Sequence, residues 1–307
     1  MKQYDVAVVG EIYIDHILTG FAKWPEPGEE VFTNEYMQEV GGGAAITACA
    51  LARLGRSVSL VGAVGVNEMS WLECRLSSFG VASVELNSSE GRTGVTISVS
   101  NDTDRSFFTY VGENARLEER LTGEAALRHL TEARHVHFAM PLTVQLADGL
   151  LPALHAAGCT TSLDVGHQVA WLHDPVNLRT CAAVHYLLPN EREAKLMFDG
   201  DADAYLQFTG GKGWPSGIVK LGPRGAAMRV GDGILRIHSP KVQVVDTTGA
   251  GDAFDAGFID GLLDGAEGEE CMRRGCVCGS FSAGAIGALQ GLPTREELEK
   301  CYEESYG

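Results

Sequence analysis

Apolar runs alternate with helix-like segments along most of the chain. Apolar runs of strand length occur at 6–10, 57–64, 135–139, 160–164, 184–188 and 217–221. Segments of helical length and composition occur at 44–54, 70–79, 143–157, 191–198, 252–263 and 269–289. Alternation of this kind predicts βαβ units. We therefore expect an α/β fold of three layers, in which helices cover both faces of a mainly parallel central sheet.

Two stretches depart from this alternation. Residues 12–40 are rich in extended-type residues and contain proline and glycine turn signals. Residues 92–111 alternate apolar with polar positions, which is typical of a half-exposed strand, and a turn at 101–104 divides them into a hairpin. We expect these stretches to form a small β-sheet lid on a single domain that spans residues 1–307.

The composition limits the classes of partner. The formal net charge is −17, whereas nucleic acid and anionic membranes require clustered Lys and Arg, so we expect neither as a partner. No apolar run approaches the roughly 20 residues of a membrane span, and the first residues lead into a strand rather than a signal peptide. The eight cysteines form no C-x-x-C pair, which favours free thiols in a reducing compartment and a cytoplasmic location.

One segment carries candidate chemistry. A glycine-rich turn joins a predicted strand at 241–245 to a predicted helix at 253–263. Gly249 and Gly251 permit backbone angles and a close approach that a Cβ would block. The unpaired N–H groups and the dipole of the first helical turn make such a turn an anion-binding site. Asp252, at the start of the helix, either caps it or accepts a proton from an attacking hydroxyl group, and spacing alone does not decide between these roles.

The same segment differs from two common nucleotide-binding turns. The chain contains no P-loop motif G-x-x-x-x-G-K-[ST]. No G-x-G-x-x-G motif follows the first predicted strand, where a dehydrogenase would carry it. The turn therefore indicates neither a P-loop enzyme nor a dinucleotide-dependent dehydrogenase.

The ten residues from Val245 to Phe254 resemble the second signature of the ribokinase-like, or PfkB, carbohydrate kinases. Further segments match the family's motifs in their usual order, at 10–15, 27–29, 41–43, 189–193 and 221–225. The resemblance covers essentially the whole chain. It implies a ribokinase-like α/β/α domain with a small β-sheet lid, and an ATP-dependent kinase that phosphorylates a hydroxyl group of a sugar or sugar-like substrate.

The resemblance also implies roles at the phosphoryl end. Asp252 would be the general base, and Gly249, Ala250 and Gly251 would form the anion hole for the charge on the transferred γ-phosphoryl group. Asn190 and Glu193 would act on Mg²⁺ through water, and they also suit a helix cap followed by a first-turn acid. Four further residues would lie beside ATP: Lys220, Gly222, Gly225 and Thr248.

Asp246 resembles the family's monovalent-cation ligand, next to the carbonyl group of Thr248. The other half of such a site would come from the loop after the last long helix. In this chain that loop, 284–291, is shorter than usual. The expected cofactors are therefore ATP and Mg²⁺, and potassium joins them only if this shorter loop completes the cation site.

At the acceptor end the chain departs from the family. The resemblance implies that Asp15, Gly42 and Gly43 bind the substrate, together with the residue at position 46. That position usually carries an asparagine that hydrogen-bonds sugar hydroxyl groups, but here it is Ile46. Either Thr47 replaces the asparagine after a small shift, or the substrate presents an apolar group there. We expect the enzyme not to bind ribose or fructose in the ordinary pose.

Arg105, at the lid hairpin, has two interpretations as well. It would meet a carboxylate or phosphate group of the substrate, or it would lie solvated in the turn. The exposed lid sheet with an apolar face favours a homodimer formed through the lid.

Two other functions compete with a sugar kinase. The first is a nucleoside kinase of the same fold, in which Phe21, Trp24, Phe107 or Tyr110 of the lid would stack on a base. These aromatic side chains equally suit the lid core or a dimer contact. The second is a non-catalytic sugar or nucleotide sensor, which would not need the retained Asp252 and its complete glycine loop.

Overall fold

The structure, a computed structural model, describes residues 2–101, 105–198, 200–209 and 214–307, without the side chains of 83–89, 101, 105 and 216. The strands in these residues are β1 (Tyr4–Gly10), β2 (Tyr13–Phe21), β3 (Glu35–Gly41), β4 (Val58–Gly65), β5 (Ser83–Ser89), β6 (Gly94–Asn101), β7 (Arg105–Tyr110), β8 (Ala133–Ala139), β9 (Thr160–Leu163), β10 (Tyr186–Leu187), β11 (Ser216–Lys220), β12 (Ala226–Val230) and β13 (Gly233–Ile237). The α-helices are α1 (Gly43–Arg53), α2 (Met69–Ser78), α3 (Leu117–Leu121), α4 (Glu124–Leu130), α5 (Val144–Ala156), α6 (Val169–His173), α7 (Leu178–Ala183), α8 (Glu191–Phe198), α9 (Ala202–Thr209), α10 (Ala250–Leu263), α11 (Gly268–Ala283) and α12 (Arg295–Tyr306).

Nine strands form the central sheet, in the order β13-β12-β11-β10-β9-β8-β1-β4-β5. All neighbours from β11 to β5 pair in parallel, and only the β11–β12 and β12–β13 pairs are antiparallel. The expected mainly parallel sheet is therefore confirmed. The outer strands β5, β12 and β13 were not predicted from the sequence.

Helices cover both faces of the central sheet, as β1 illustrates. Ala7 and Val9 are buried in the cluster that includes residues of helices α3 to α9. The alternate residues Val6 and Val8 are buried in the cluster that includes residues of α1, α2, α10, α11 and α12. A strand buried on both faces loses the apolar–polar alternation of a half-exposed strand, which explains its continuous apolar run. The three-layer α/β/α architecture is confirmed.

The second sheet comprises the segments predicted as the lid, and its four strands follow the order β3-β2-β6-β7. Strand β2 pairs antiparallel with β3 and parallel with β6, and β6 and β7 form the expected hairpin. Most of the turn predicted at 101–104 lies outside the described residues. A separate small sheet is thus present, while the division of the chain into one domain with a lid stays a prediction.

Two local predictions near the glycine-rich turn are wrong. Residues 241–245 form no strand, because the N–H groups of Val245 and Asp246 donate to the carbonyl of Ala283 at 2.8 and 3.3 Å instead of to a neighbouring strand. Helix α11 ends at Ala283, short of the predicted 289, and a glycine-containing loop follows. Among the described residues, no helix has the length and apolar character needed to span a bilayer.

Candidate active site

The carboxyl ends of the parallel strands face the N-terminus of α10 at one edge of the central sheet. Ligands of open α/β sheets bind at this edge. A cleft of about 910 Å³ opens here. Its lining includes eight residues predicted from the sequence: Asn190, Glu193, Lys220, Gly222, Gly225, Ala250, Gly251 and Asp252.

Gly249 shapes the glycine-rich turn and is the N-cap of α10. Its φ of +76° is a left-handed conformation that favours glycine. The first hydrogen bond of the helix joins the N–H of Ala253 to the carbonyl of Gly249 at 2.8 Å, while the N–H of Ala250 donates to the preceding turn. The N–H groups of Gly251 and Asp252 precede the first helical bond and have no acceptor within the helix. Together with the helix dipole they form an anion-binding turn.

Asp252 is the third residue of α10 and borders the cleft. It is therefore a first-turn acid and not the N-cap. The pKa of its carboxyl group is raised to about 7, mainly by burial and also by the carboxylate of Asp164, whereas the ammonium group of Lys220 lowers it. A carboxyl group that titrates near neutrality and lies beside an anion-binding turn suits a general base.

Gly41, Gly42 and Gly43 place the predicted acceptor residues beside this base. A Cβ built on Gly41 would lie 2.1 Å from Oδ2 of Asp15, and one built on Gly43 would lie 2.7 Å from Oδ1 of Asp252. The Cα atoms of the first and third residues of a tripeptide lie at most about 7 Å apart. Asp15 and Asp252 therefore flank one short turn, whose middle residue has φ of +93°.

Asp15 is half-buried on the lid strand β2. Burial raises the pKa of its carboxyl group to about 6, a hydrogen bond with Thr96 lowers it, and the nearby Glu39 raises it. Glu39 lies opposite Asp15 on β3 and is itself bound by Arg75, whose Nε donates to Oε1 at 2.7 Å. Glu39 is thus held by a half-buried salt bridge, and Asp15 and Thr96 present the polar groups beside the Gly41–Gly43 turn.

Ile46 and Thr47 lie on α1 and contact the glycine-rich turn at the start of α10. Ile46 is 4% exposed, and its Cδ1 lies 3.3 Å from the position of a Cβ built on Gly249. The hydroxyl group of Thr47 donates to the carbonyl of Asp252 at 3.2 Å. This contact uses the only hydroxyl proton of Thr47, so Thr47 could only accept a hydrogen bond from a substrate hydroxyl group, and its replacement of the missing asparagine stays a prediction. Ile46 packs against the anion-binding turn.

Asn190 and Glu193 form a reciprocal cap at the start of α8. The N–H and Nδ2 of Asn190 donate to the two carboxylate oxygens of Glu193 at 2.8 and 2.6 Å, and the N–H of Glu193 donates to Oδ1 of Asn190 at 2.9 Å. The pKa of Glu193 is raised to about 7, mainly by burial and also by the neighbouring Asp164. The helix-cap interpretation is confirmed, and both side chains line the cleft.

Lys220 lies between two carboxylates that the sequence analysis did not single out. Its Nζ donates to Oδ2 of Asp164 at 2.6 Å and to both carboxylate oxygens of Asp255 at 3.1 Å. The three side chains are buried. Burial opposes ionisation of Asp164, but the adjacent ammonium group holds its pKa below the usual range. The pKa of Asp255 is raised well above its usual value, mainly by burial.

The positions of these two carboxylates follow from signals that the sequence contains. Asp164 directly follows the buried strand β9, at the same sheet edge where Lys220 ends β11. Asp255 is three residues after Asp252 and therefore lies on the same side of α10. An acid at a strand end and a second acid at i+3 would have been enough to include both in the candidate site.

The other predicted residues line the cleft or support its turn. Gly222 and Gly225 bound the single helical turn after β11 and face the cleft. The far wall is mostly apolar, with Pro240, Val242, Val244, Phe254, Cys276 and Ala283. Arg105 opens β7, but its side chain lies outside the described part of the chain.

Asp246 ties the turn to the loop after α11. Its Oδ1 accepts the N–H of Thr248 at 2.8 Å, and its Oδ2 accepts the N–H of Gly287 at 3.0 Å. The carbonyl of Thr248 accepts a hydrogen bond from Ser282 at 3.5 Å. The loop 284–291 thus does meet Asp246, as the sequence predicts.

Comparison with known proteins identifies the family of the chain. The family model described as pfkB family carbohydrate kinase matches residues 3–295. An ATP-dependent ribose-1-phosphate kinase of Halopiger xanaduensis is 31% identical over 92% of this chain and 93% of its own length. A nucleoside kinase of Methanocaldococcus jannaschii is 26% identical over 99% of this chain and 98% of its own length.

Among solved structures, the ribokinase of Arabidopsis thaliana in complex with ribose and ATP superposes with a TM-score of 0.83 at 24% identity, covering 98% of this chain and 99% of that chain. This likeness shows a ribokinase fold. The family match extends over nearly the whole chain. The chain therefore belongs to the pfkB family of carbohydrate kinases, and it is a phosphotransferase that acts on an alcohol group.

Proposed function

We propose that this protein transfers the γ-phosphoryl group of ATP to a hydroxyl group of a sugar or sugar-like alcohol. One observation carries the proposal: Asp252, with a pKa of about 7, borders the cleft beside the amides of the α10 turn. The same carboxylate is in close contact with Gly43 of the predicted acceptor side. A base, an anion-binding turn and an acceptor surface thus meet at one point.

The reaction at this point is an in-line displacement. The acceptor hydroxyl oxygen forms a bond to the γ-phosphorus of ATP while its proton passes to Asp252. The bond between the γ-phosphorus and the bridging oxygen breaks, and ADP leaves with that electron pair. The turn Gly249–Gly251 stabilises the negative charge on the phosphoryl oxygens through the N–H of Gly251, which precedes the first helical hydrogen bond, and through the helix dipole.

The donor set at the phosphoryl end of the cleft fits Mg²⁺. Asn190 and Glu193 offer oxygen atoms in the cleft lining, and Glu193 and Asp164 lie close enough to raise the pKa of Glu193. Oxygen ligands and an excess of carboxylates favour a hard divalent cation, which keeps several of its waters. When bound, Mg²⁺ would neutralise charge on the phosphate groups. Asn190 and Glu193 would orient its water shell through the cap that they form.

The remaining cleft residues suit the nucleotide. Gly222 and Gly225 bound a turn next to the apolar wall at Val242 and Val244, which would accept an adenine ring. Lys220 and Thr248 lie nearer the phosphoryl end. The lid would close over the acceptor and exclude water, so that ATP is not lost to hydrolysis.

A nucleoside acceptor is the second candidate, because a nucleoside kinase is 26% identical over nearly the whole chain. The lid aromatics give it limited support. Phe21 is buried, and Tyr110 pairs in register with Val95, which places it on the opposite face of the lid from Asp15. Trp24 and Phe107 remain as candidates for stacking on a base.

A monovalent cation at Asp246 forms part of the proposal. Both carboxylate oxygens of Asp246 accept backbone N–H groups from the α10 turn and the loop 284–291. A cation bound to this carboxylate would lie next to the anion-binding turn and would stabilise its position. The expected sign of potassium on the rate is therefore positive.

We further propose that the protein is cytoplasmic and forms a homodimer through the lid. All eight cysteines lie among the described residues as free thiols, which a reducing compartment preserves. The lid face opposite Asp15 exposes apolar side chains at Tyr36, Ile97, Phe108 and Tyr110. A second copy of this face would cover them.

The decisive experiment replaces the base by its neutral isostere. We expect Asp252→Asn to lower kcat by about a thousandfold, the range of general-base removal, because the amide cannot accept the hydroxyl proton. ADP release would be measured with a panel of sugars and nucleosides, and Mg-ADP binding by calorimetry as a check on folding. Unchanged turnover that still depends on the acceptor would show that the base is elsewhere.

A further inference from the structure

Lys220 is held in the site more rigidly than a phosphate-binding lysine on the surface. Its ammonium group contacts Asp164 at 2.6 Å and Asp255 at 3.1 Å, and only 8% of the residue is exposed. Its strand β11 ends here, and a single bridge pairs it with Asn190. Buried ionic contacts of this kind remove the rotational freedom that a lysine side chain otherwise has.

The surrounding carboxylates would suit a metal ion if the lysine were absent. Oxygen atoms of Asp164, Asp252 and Asp255 all lie within 4.8 Å of one another. The ammonium group already contacts two of the three, so a cation occupies the cluster as part of the chain itself. The arrangement is therefore a lysine site and not a second metal site.

The ammonium group also reaches the anion-binding turn. It lies 3.5 Å from the position of a Cβ built on Gly251, so it adjoins the backbone whose amide faces the phosphoryl group. Lys220, Gly251 and Asp252 all line the same cleft. No side chain on Gly251 separates the lysine from this backbone.

We infer that Lys220 is a further catalytic residue, whose ammonium group contacts the transferred γ-phosphoryl group while Asp164 and Asp255 act as positioning residues. The inference rests on the proposed function. Lys220 keeps its protons throughout, and no bond to it forms or breaks. Its charge is fixed before the substrate arrives, so it stabilises negative charge on the phosphoryl oxygens without reorganisation during the reaction.

If the inference is correct, Lys220 contributes to the binding of ATP but not to the binding of ADP. A cation that contacts only the γ-phosphoryl group strengthens binding of a triphosphate and leaves binding of a diphosphate unchanged. A lysine that serves only to stabilise the fold would affect both nucleotides equally. The ratio of the two affinities is therefore the informative quantity.

The experiment compares Asp255→Asn with the double variant Lys220→Met, Asp255→Asn. The single variant keeps Lys220 paired with Asp164, and the double variant avoids leaving two carboxylates beside a missing cation. Calorimetry with Mg²⁺ would measure binding of ADP and of the non-hydrolysable triphosphate AMP-PNP. Loss of Lys220 should lower the preference for AMP-PNP over ADP by about tenfold or more, with ADP affinity little changed. An unchanged preference would overturn the inference.

A second measurement keeps the inference testable if the double variant does not fold. In the unaltered protein labelled with ¹⁵N-lysine, the buried ammonium group of Lys220 should give a slowly exchanging NMR signal. Mg-AMP-PNP should shift this signal, and Mg-ADP should leave it in place. The same response to both nucleotides would contradict a γ-phosphoryl contact.

The control for surface charge is Lys195→Met, on the exposed side of α8, which should leave the affinity ratio unchanged. The Asp252→Asn experiment is independent of this one. If Asp252→Asn retains turnover, the proposed reaction fails. If the affinity ratio does not depend on Lys220, only the role of the lysine fails.

Discussion

The two ends of the cleft hold their polar groups in different ways. At the phosphoryl end, Lys220, Asp164 and Asp255 are joined by buried ionic contacts, and Asn190 and Glu193 cap each other. At the acceptor end, Asp15 is half-buried on a strand of the lid, and the turn beside it consists of Gly41, Gly42 and Gly43.

This difference separates reaction from specificity. Side chains that fix each other in the core of the main sheet hold the phosphoryl end in one geometry, which transfer of a phosphoryl group requires whatever the acceptor is. The acceptor end depends on backbone approach and on the lid, so a change such as Ile46 alters which alcohol fits without moving the base. Relatives that act on different acceptors are expected from such a division.

Among changes that keep Asp252 itself, the largest effect should follow from disturbing the point where the two ends touch. A Cβ on Gly43 would lie 2.7 Å from Oδ1 of Asp252, so the carboxylate must move in Gly43→Ala. Since a displacement of about 1 Å costs on the order of a hundredfold in rate, we expect kcat to fall about a hundredfold with Mg-ADP binding intact. The matched control is Gly149→Ala within α5, where a Cβ has open space. A wild-type rate in Gly43→Ala would show that Asp252 tolerates this contact.

The pH dependence of the rate tests whether the groups at the phosphoryl end raise the pKa of the base, Asp252. Asp252 accepts a proton only when it is ionised, and its pKa is raised to about 7. The rate should therefore be constant above about pH 8 and fall as pH decreases through 7, approaching tenfold per unit well below the pKa. Measurements of kcat under saturating substrates would show this limb, and a flat profile down to about pH 5.5 would contradict the assignment.

Glu193 also has a pKa of about 7 and must be separated from the base. In Glu193→Gln at saturating Mg²⁺, the acidic limb should remain. It should move slightly to lower pH, because the negative charge of Glu193 contributes to the raised pKa of Asp252. Disappearance of the limb in this variant would assign it to Glu193 instead.

The sequence predicted the layers and the α10 turn because both leave local patterns. The buried strand β1 and the run ending in Asp252 are contiguous, and their meaning depends on neighbours along the chain. Asp164 and Asp255 lie at places that the sequence marks, a strand end and position i+3 from Asp252, but they were missed because only the fold brings them to Lys220. The segment 241–245 was misassigned because its residues alternate as in a strand, whereas Lys241, Val242 and Val244 all line the cleft and the N–H of Val245 donates to the carbonyl of Ala283.

A smaller effect should follow from restoring the family's asparagine at the acceptor end. Ile46 packs against Gly249, where a buried amide without a partner costs about 1–3 kcal/mol, so Ile46→Asn should be less stable than Ile46→Val. We expect the wild-type chain to phosphorylate ribose and fructose poorly and Ile46→Asn to improve ribose use. The measurement is kinase activity on a sugar panel. Full wild-type activity on ribose that the substitution reduces would contradict the idea that this end has changed its acceptor.

The smallest effect on activity is expected from the outer face of the lid, the part of the acceptor end farthest from the chemistry. Phe108 pairs in register with Ile97, on the face opposite Asp15, and is 59% exposed. A charge at this position could not be buried against a second copy, so Phe108→Asp should convert a dimer to a monomer in light-scattering measurements. Val176→Asp, an exposed position in the turn before α7, is the control and should leave the mass unchanged. A wild-type mass that equals one chain would exclude the lid dimer; a dimer that persists in Phe108→Asp would place the contact elsewhere.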